Sequence, residues 1–162
     1  MDILGQAELF ARKEYAKHDL NHGWKHIEEV MKYAFEIAKQ IDRSSKFMNV
    51  EVNYELLQLA VLFHDIAYKS YETHVEESVK VAEEFLTKQN YSKEKIAKLK
   101  EIMLNHSGSH RRKLGDAKLI EGKILYDADK AFYATRTLVD YNKYKPTFYF
   151  SFTRNMVKRP EK

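Results

Sequence analysis

The chain has 162 residues, of which 44% are hydrophobic and 32% charged, with only 5 glycines and 2 prolines; this balance predicts one folded domain over 1–162 and excludes a disordered chain. The absence of cysteine excludes disulfide bonds and thiolate ligands, so any metal ion has to be held by histidine, carboxylate and water. No window approaches the ~20 apolar residues of a membrane span, and the net charge of +4 is dispersed beside glutamates, so we expect a cytoplasmic protein with no membrane or nucleic-acid partner.

Apolar residues recur at three- or four-residue steps through most of the chain, which predicts an all-α fold. The first helix is predicted over about 3–17 and ends at the turn-forming sequence KHDLNHG. A second begins near Asn21, carries one apolar stripe from Trp24 to Ile41 and ends at DRSSKFMN. Both helices therefore present one face to a core.

The third helix, predicted over about 50–67, is apolar around more of its circumference than its neighbours. We expect it to be the central buried helix of a single compact bundle, with His64 and Asp65 at its C-terminal end. Burying a carboxylate costs several kcal/mol unless a charge or good donors compensate it. A divalent cation is the strongest compensation available to a chain without cysteine.

Further helices are predicted over about 72–89, 93–105 and 117–144. The sequence HSGSHRRKLGD, residues 106–116, contains glycine and serine and is predicted to be a loop. An aromatic-rich segment at about 147–158 is predicted to form a last short helix. We find no repeat or linker that would divide the chain.

Two more clusters of ionisable residues stand beside apolar ones. His22 and His26 are four residues apart, so on a helix they share a face and can bind one cation together. Asp127 and Asp129 lie in an apolar stretch and, being two residues apart, point in different directions, so one of them is expected to face the interior site. Singly, each of these residues also fits a hydrogen-bonded core histidine, a helix cap or a surface turn.

The order of these residues resembles the HD-domain superfamily of metal-dependent phosphohydrolases, whose pattern is His, His-Asp, Asp. NHGWKHIEEV resembles its first motif, LAVLFHDIAY its second and EGKILYDADKA its third, while EIMLNHSGSH is similar to a small bacterial and archaeal branch. The resemblance covers about 18–135. It implies an all-helical fold, hydrolysis of a nucleotide or another small phosphate ester, and a divalent cation, for which an octahedral site suits Mn, Fe, Co, Ni or Mg. The metal ligands that it implies are His26, His64, Asp65 and Asp129.

Further roles follow if the site is active. Asp65 is expected to orient the attacking water, and His106 to protonate the leaving group, bind phosphate or recruit a second metal ion. His74, at the start of the fourth helix, can reach the same cleft. Basic and histidine residues near the motifs are candidates for substrate binding, although each also fits an ordinary surface charge. These candidates are His22, Lys69, His106, His110, Arg111 and Lys130.

The chain departs from the family pattern at two places. Some nucleotidases of the superfamily carry a glutamate three residues after the aspartate of the His-Asp pair, where this chain has Tyr68. Relatives of the closer branch often carry Arg-Leu-Asp after the last motif, where this chain has Lys130, Ala131 and Phe132. Because of these departures, a second function stays possible for the chain: a catalytically weak or inactive protein that binds a nucleotide or a metal ion for regulation.

The C-terminal segment 141–158 is rich in tyrosine and phenylalanine. It can complete the core, cover the cleft or form the interface of a homodimer. A helical adaptor that acts through this segment, and that needs no metal ion, is a third interpretation of the sequence.

Overall fold

A computed structural model describes residues 2–18, 22–48, 50–70 and 72–137. These residues form seven α-helices and no strand, which confirms the all-α prediction. Among them, no helix has the length and apolar character needed to cross a membrane. The aromatic segment 141–158 lies outside the described residues. The helices are α1 (Ile3–Tyr15), α2 (Trp24–Met48), α3 (Tyr54–Phe63), α4 (His74–Lys88), α5 (Lys93–Leu104), α6 (Gly108–Leu114) and α7 (Ile120–Thr137).

Helix α3 is the centre of the bundle, as predicted, and packs against α1, α2, α4, α5 and α7. It begins later than predicted because the side chain of Asn53 caps it, accepting a hydrogen bond from the N–H of Leu56 at 3.0 Å. It also ends earlier, at Phe63, and His64 is its C-cap residue. A tight turn follows, in which the N–H of Ile66 bonds to the carbonyl of Phe63 at 3.2 Å.

Helix α2 includes nearly all of the sequence that was predicted to end it. The sequence DRSSKFMN, residues 42–49, was expected to terminate the helix, which ends within it at Met48. Aspartate and serine have modest helix propensity and lack the steric block of proline or the backbone freedom of glycine, so they do not end a helix by themselves. The helix therefore ends in the predicted sequence, at its penultimate residue and not at its first.

The predicted loop over 106–116 contains a short helix, α6. The carbonyl of Ser107 accepts a hydrogen bond from the N–H of Arg111 at 3.0 Å at its start, and Gly115, at a φ of 84°, ends it. No residue of α6 is buried, so the helix has no apolar stripe that the sequence could reveal. The loop prediction was wrong for that reason.

Helix α7 approaches its neighbours closely at Gly122. A Cβ atom added there would lie 2.7 Å from Cβ of Ala117 and 3.6 Å from Cα of Ile102 on α5. We expect Gly122→Leu to lower the free energy of unfolding by about 1–3 kcal/mol, because its Cβ would overlap that of Ala117 and the rest of the side chain would press on α5. Lys123→Leu, on the next and partly exposed residue, is the control and should change it by less than about 0.5 kcal/mol. Equal effects in chemical denaturation would contradict this packing.

Candidate metal centre

Three parts of the chain bring two histidines and two aspartates to one buried point. His26 lies in the first turn of α2, His64 and Asp65 in the turn that ends α3, and Asp129 in the second half of α7. None of the four residues is more than 4% exposed. Since α3 packs against both α2 and α7, the packing of the helices produces this convergence.

The ligand atoms of these residues face one another across short gaps. Nε2 of His26 and Nε2 of His64 are 3.1 Å apart. Oδ2 of Asp65 lies 3.6 Å from the first of these nitrogen atoms and 3.5 Å from the second. Oδ1 of Asp129 lies 3.5 Å and 3.8 Å from the same two atoms. All four atoms are within 4.8 Å of one another.

The chemistry of His64 suits a metal ligand. Its Nδ1–H donates to the carbonyl of Val61 at 2.9 Å, which leaves the lone pair on Nε2, the atom that faces the centre. Burial lowers the pKa of His64 from 6.5 to about 4, so its imidazole is neutral at neutral pH. His106 is held in the same way, by a 2.6 Å hydrogen bond from Nδ1 to the carbonyl of Met103.

Both carboxylates are ionised although they are buried. Burial raises the pKa of Asp65, but its interactions with His64 and the other histidines outweigh this and hold that pKa well below 3.8. Burial likewise raises the pKa of Asp129, and the charge of Lys130 together with the histidines brings it below 3.8. Lys130 Nζ lies 2.6 Å from Oδ2 of Asp129, so this carboxylate turns Oδ1 toward the centre.

A second group of potential ligands shares Asp65 with the first. The second carboxylate oxygen of Asp65, Oδ1, lies 3.4 Å from Nε2 of His106 and 3.6 Å from Nε2 of His74. These three residues are buried and their ligand atoms also lie within 4.8 Å of one another. The two oxygens of Asp65 therefore face two different groups.

The donor set fits a divalent cation. Ligand atoms about 2.1 Å from an ion in octahedral geometry lie about 3.0 Å from their neighbours and about 4.2 Å from the atom opposite, a range that contains the gaps of the first group. Oδ1 of Asp65 and Oδ1 of Asp129 are buried and accept no hydrogen bond from the described residues, which is costly without a cation. Imidazole and carboxylate ligands suit Mn, Fe, Co, Ni or Mg without distinguishing among them.

Asp127, the neighbour of Asp129 in the DAD sequence, is buried as well but belongs to neither group. The structure therefore places Asp129 at the centre and Asp127 on another side of α7. This agrees with our expectation that one member of the pair faces the interior.

His22 lies beside the centre and not in it. Its ring stacks on that of Tyr68, with 3.5 Å between the ring centroids and 10° between the planes. The same histidine is 6.4 Å from the ring of His26, while Tyr68 is 5.1 Å from the ring of His74. The stacked pair thus borders both groups of ligands, and its members are only half-buried.

The basic candidates for substrate binding are spread over several surfaces. Lys130 touches the centre through Asp129, and Lys69 is exposed after the turn that carries the His-Asp pair. His110, on α6, donates a 2.8 Å hydrogen bond from Nε2 to Oε1 of Glu76 on α4. Arg111 makes a 2.6 Å ion pair with Asp116, and its guanidinium carbon lies 4.3 Å from the centroid of the Tyr126 ring.

One buried polar residue was missed in the sequence. Tyr15, the last residue of α1, is buried, and burial first and then the negative charge of Asp65 raise the pKa of its hydroxyl above the usual value. A tyrosine on the apolar face of a helix has the same pattern as a core residue, so the sequence carries no signal for it.

Comparison with known proteins gives one family and one fold. The HD domain family model matches residues 23–133, which include both groups of ligands. A crystal structure of a Lactobacillus plantarum protein shares the fold with a TM-score of 0.62 and 21% sequence identity. That likeness covers 94% of this chain and 64% of the other. No curated protein matches the chain significantly.

Proposed function

Because this chain belongs to the HD domain family, we propose that it is a metal-dependent hydrolase of a nucleotide or another small phosphate ester. The observation that carries the proposal is the convergence of four buried ligand atoms, from α2, the turn after α3 and α7, within 4.8 Å of one another. Buried carboxylates are rare without a compensating charge, and here two of them share one small volume.

A divalent cation bound in this centre would polarise a phosphate oxygen and lower the pKa of a water molecule. Asp65 orients the attacking water, since its two oxygens lie between the two groups of ligands. Lys130, at the edge of the centre, reduces the charge of the incoming phosphate. Lys130 is the partly exposed residue in contact with the centre, so we propose that the substrate approaches from its side.

His106 has three possible roles, and its position favours metal binding. Its Nε2 lies 3.4 Å from Oδ1 of Asp65 and belongs to one group with His74. A histidine that only protonates a leaving group needs no second histidine and carboxylate beside it. A second metal ion needs several ligand atoms at one point, such as Nε2 of His106, Nε2 of His74 and Oδ1 of Asp65. His74 and His106, together with Oδ1 of Asp65, would therefore hold a second cation.

The number of bound ions tests this assignment. We expect the wild-type protein to bind two divalent ions and His106→Asn to bind one, because the first group is complete without His106. His110→Asn is the control, since His110 pairs with Glu76 and belongs to neither group. Titration with Mn²⁺ after removal of metal by a chelator measures both. Two ions in His106→Asn would contradict the second site.

A regulatory protein is the second candidate function. It is favoured by Tyr68, which stands where some related nucleotidases carry a glutamate and which stacks on His22. Such a protein would bind metal ions and a nucleotide without turnover. The stack of His22 on Tyr68 leaves Asp65 in both groups of ligands, where it can still orient a water molecule. Hydrolysis therefore remains the function that we propose.

Turnover separates the two functions. The experiment is a panel of phosphate esters and nucleotides offered to the protein with Mn²⁺, Co²⁺, Ni²⁺ or Mg²⁺. We expect phosphate release with at least one metal ion and none after chelation. Nucleotide binding with no release under any condition would support the regulatory function and overturn the proposed hydrolase.

A further inference from the structure

Ser78, on α4, is a fully buried serine that the proposed function has not used. Its Oγ accepts a hydrogen bond from the main-chain N–H of Ala67 at 3.1 Å. Ala67 lies two residues after Asp65, in the turn that follows α3. The hydroxyl of Ser78 therefore joins the turn that carries Asp65 to a second helix.

Other hydrogen bonds of this turn lie within the turn itself. The N–H of Ile66 donates to the carbonyl of Phe63 at 3.2 Å. The N–H of Tyr68 donates to the carbonyl of Asp65 at 3.0 Å. These two bonds fix the shape of the turn but not its direction relative to α4. The N–H of Ala67, which lies between them in the chain, donates to α4 and so selects one direction.

Ser78 shares a face of α4 with a residue of the second group of ligands. His74 is the first residue of α4 and precedes Ser78 by four positions, which is about one helical turn. Nε2 of His74 lies 3.6 Å from Oδ1 of Asp65. Helix α4 therefore meets the turn at two points, once at the carboxylate of Asp65 and once at the main chain two residues later.

The two groups of ligands differ in their dependence on α4. The first group contains no residue of α4, and the ring of its His64 is held by the carbonyl of Val61 on α3. The second group needs α4 to bring His74 to Oδ1 of Asp65. A change in the contact between α4 and the turn should therefore affect the second group more than the first.

We infer that Ser78 is a positioning residue of the second group, whose hydroxyl holds the turn so that Oδ1 of Asp65 and Nε2 of His74 can face one ion. The inference rests on the proposed function, which gives a second cation to these two residues and His106. Residues that orient metal ligands without contacting the ion typically change metal affinity by about 10- to 100-fold when they are replaced. A serine that only fills space on α4 would have no such effect.

Ser78→Ala tests the inference, because it removes the hydroxyl and keeps every proposed ligand. We expect the affinity for the second Mn²⁺ ion to fall about tenfold or more, and the affinity for the first to change by less than about threefold. A higher concentration of Mn²⁺ should fill the second site again, since its three ligands are still present. Calorimetric titration of the chelator-treated protein measures both affinities.

Ser92→Ala is the matched control, with the same substitution at another main-chain hydrogen bond. The Ser92 side chain caps α5 and accepts from the N–H of Lys95 at 3.5 Å, and neither residue belongs to a group of ligands. Its loss should lower the unfolding temperature and leave both Mn²⁺ affinities unchanged. A loss of stability alone therefore cannot produce the result expected for Ser78→Ala.

A second pair of variants isolates the hydroxyl if Ser78→Ala does not fold. Ser78→Thr and Ser78→Val place side chains of the same shape at the same buried position, and only threonine keeps an oxygen that can accept from Ala67. Both are expected to lower the unfolding temperature. The affinity for the second Mn²⁺ ion should be about tenfold or more higher in Ser78→Thr than in Ser78→Val.

The titrations separate failure of the inference from failure of the proposed function. A second-ion affinity in Ser78→Ala equal to that of the wild type would overturn the inference and leave the proposed function intact. Equal losses of affinity for both ions would show that Ser78 supports the bundle as a whole and not the second group. A wild-type protein that binds one ion would remove the second cation and the inference with it, and phosphate release would then test hydrolysis through the first group alone.

Discussion

Asp65→Asn is expected to lose both metal ions and to lower turnover by at least about 10²- to 10⁴-fold. Among the described residues, Asp65 is the one that belongs to both groups of ligands, with Oδ2 facing the first and Oδ1 the second. Asparagine has the same shape, so the helices should stay folded, and circular dichroism should show an unchanged helical content. Metal analysis by mass spectrometry and phosphate release are the two measurements.

The matched control for Asp65→Asn is Asp42→Asn, which changes an exposed aspartate on α2. The Asp42 carboxylate accepts a hydrogen bond from Tyr54 and belongs to neither group of ligands. It should therefore keep both metal ions and full turnover. Two ions retained in Asp65→Asn, or turnover at the level of the control, would contradict the role assigned to Asp65.

The aspartates of the DAD sequence provide a second test with a large expected difference. Asp129→Asn should lose the ion of the first group and most turnover, because Oδ1 of Asp129 faces both imidazoles. Asp127→Asn should keep the ion, because Asp127 belongs to neither group although it is equally buried. The two variants are matched in residue type, helix and burial, so stability alone cannot separate them.

The result of this comparison is read from metal content. Titration of each chelator-treated variant with Mn²⁺ should give one ion fewer for Asp129→Asn than for Asp127→Asn. Equal losses from the two variants would show that the assignment of Asp129 is wrong, or that both carboxylates support the centre.

The convergence of the centre could be predicted because the sequence places ionisable residues in apolar helices. His64 and Asp65 directly follow α3, the most apolar helix among the described residues, and Asp129 lies beside buried Ala128. Such positions are costly unless the groups meet, and the ordered motifs of the HD-domain superfamily named which ones do. The structure brings these residues together, while their role as ligands stays a prediction.

The remaining features depend on contacts that periodicity does not encode. Helix α6 buries none of its residues, so it gives no apolar signal. The stack of His22 on Tyr68 joins two turns that are distant in sequence, and only the packing of α2 and α3 brings them together. Lys130 was expected to contact substrate, and its ion pair with Asp129 depends on the direction of one side chain.

Crystals of the protein soaked in Mn²⁺ test the central claim most directly, through the anomalous signal of the ion. The account predicts a peak enclosed by His26, His64, Asp65 and Asp129, at roughly 2.0–2.3 Å from one nitrogen or oxygen atom of each. Peaks only at surface carboxylates, with the four side chains bonded to one another or to water, would contradict it.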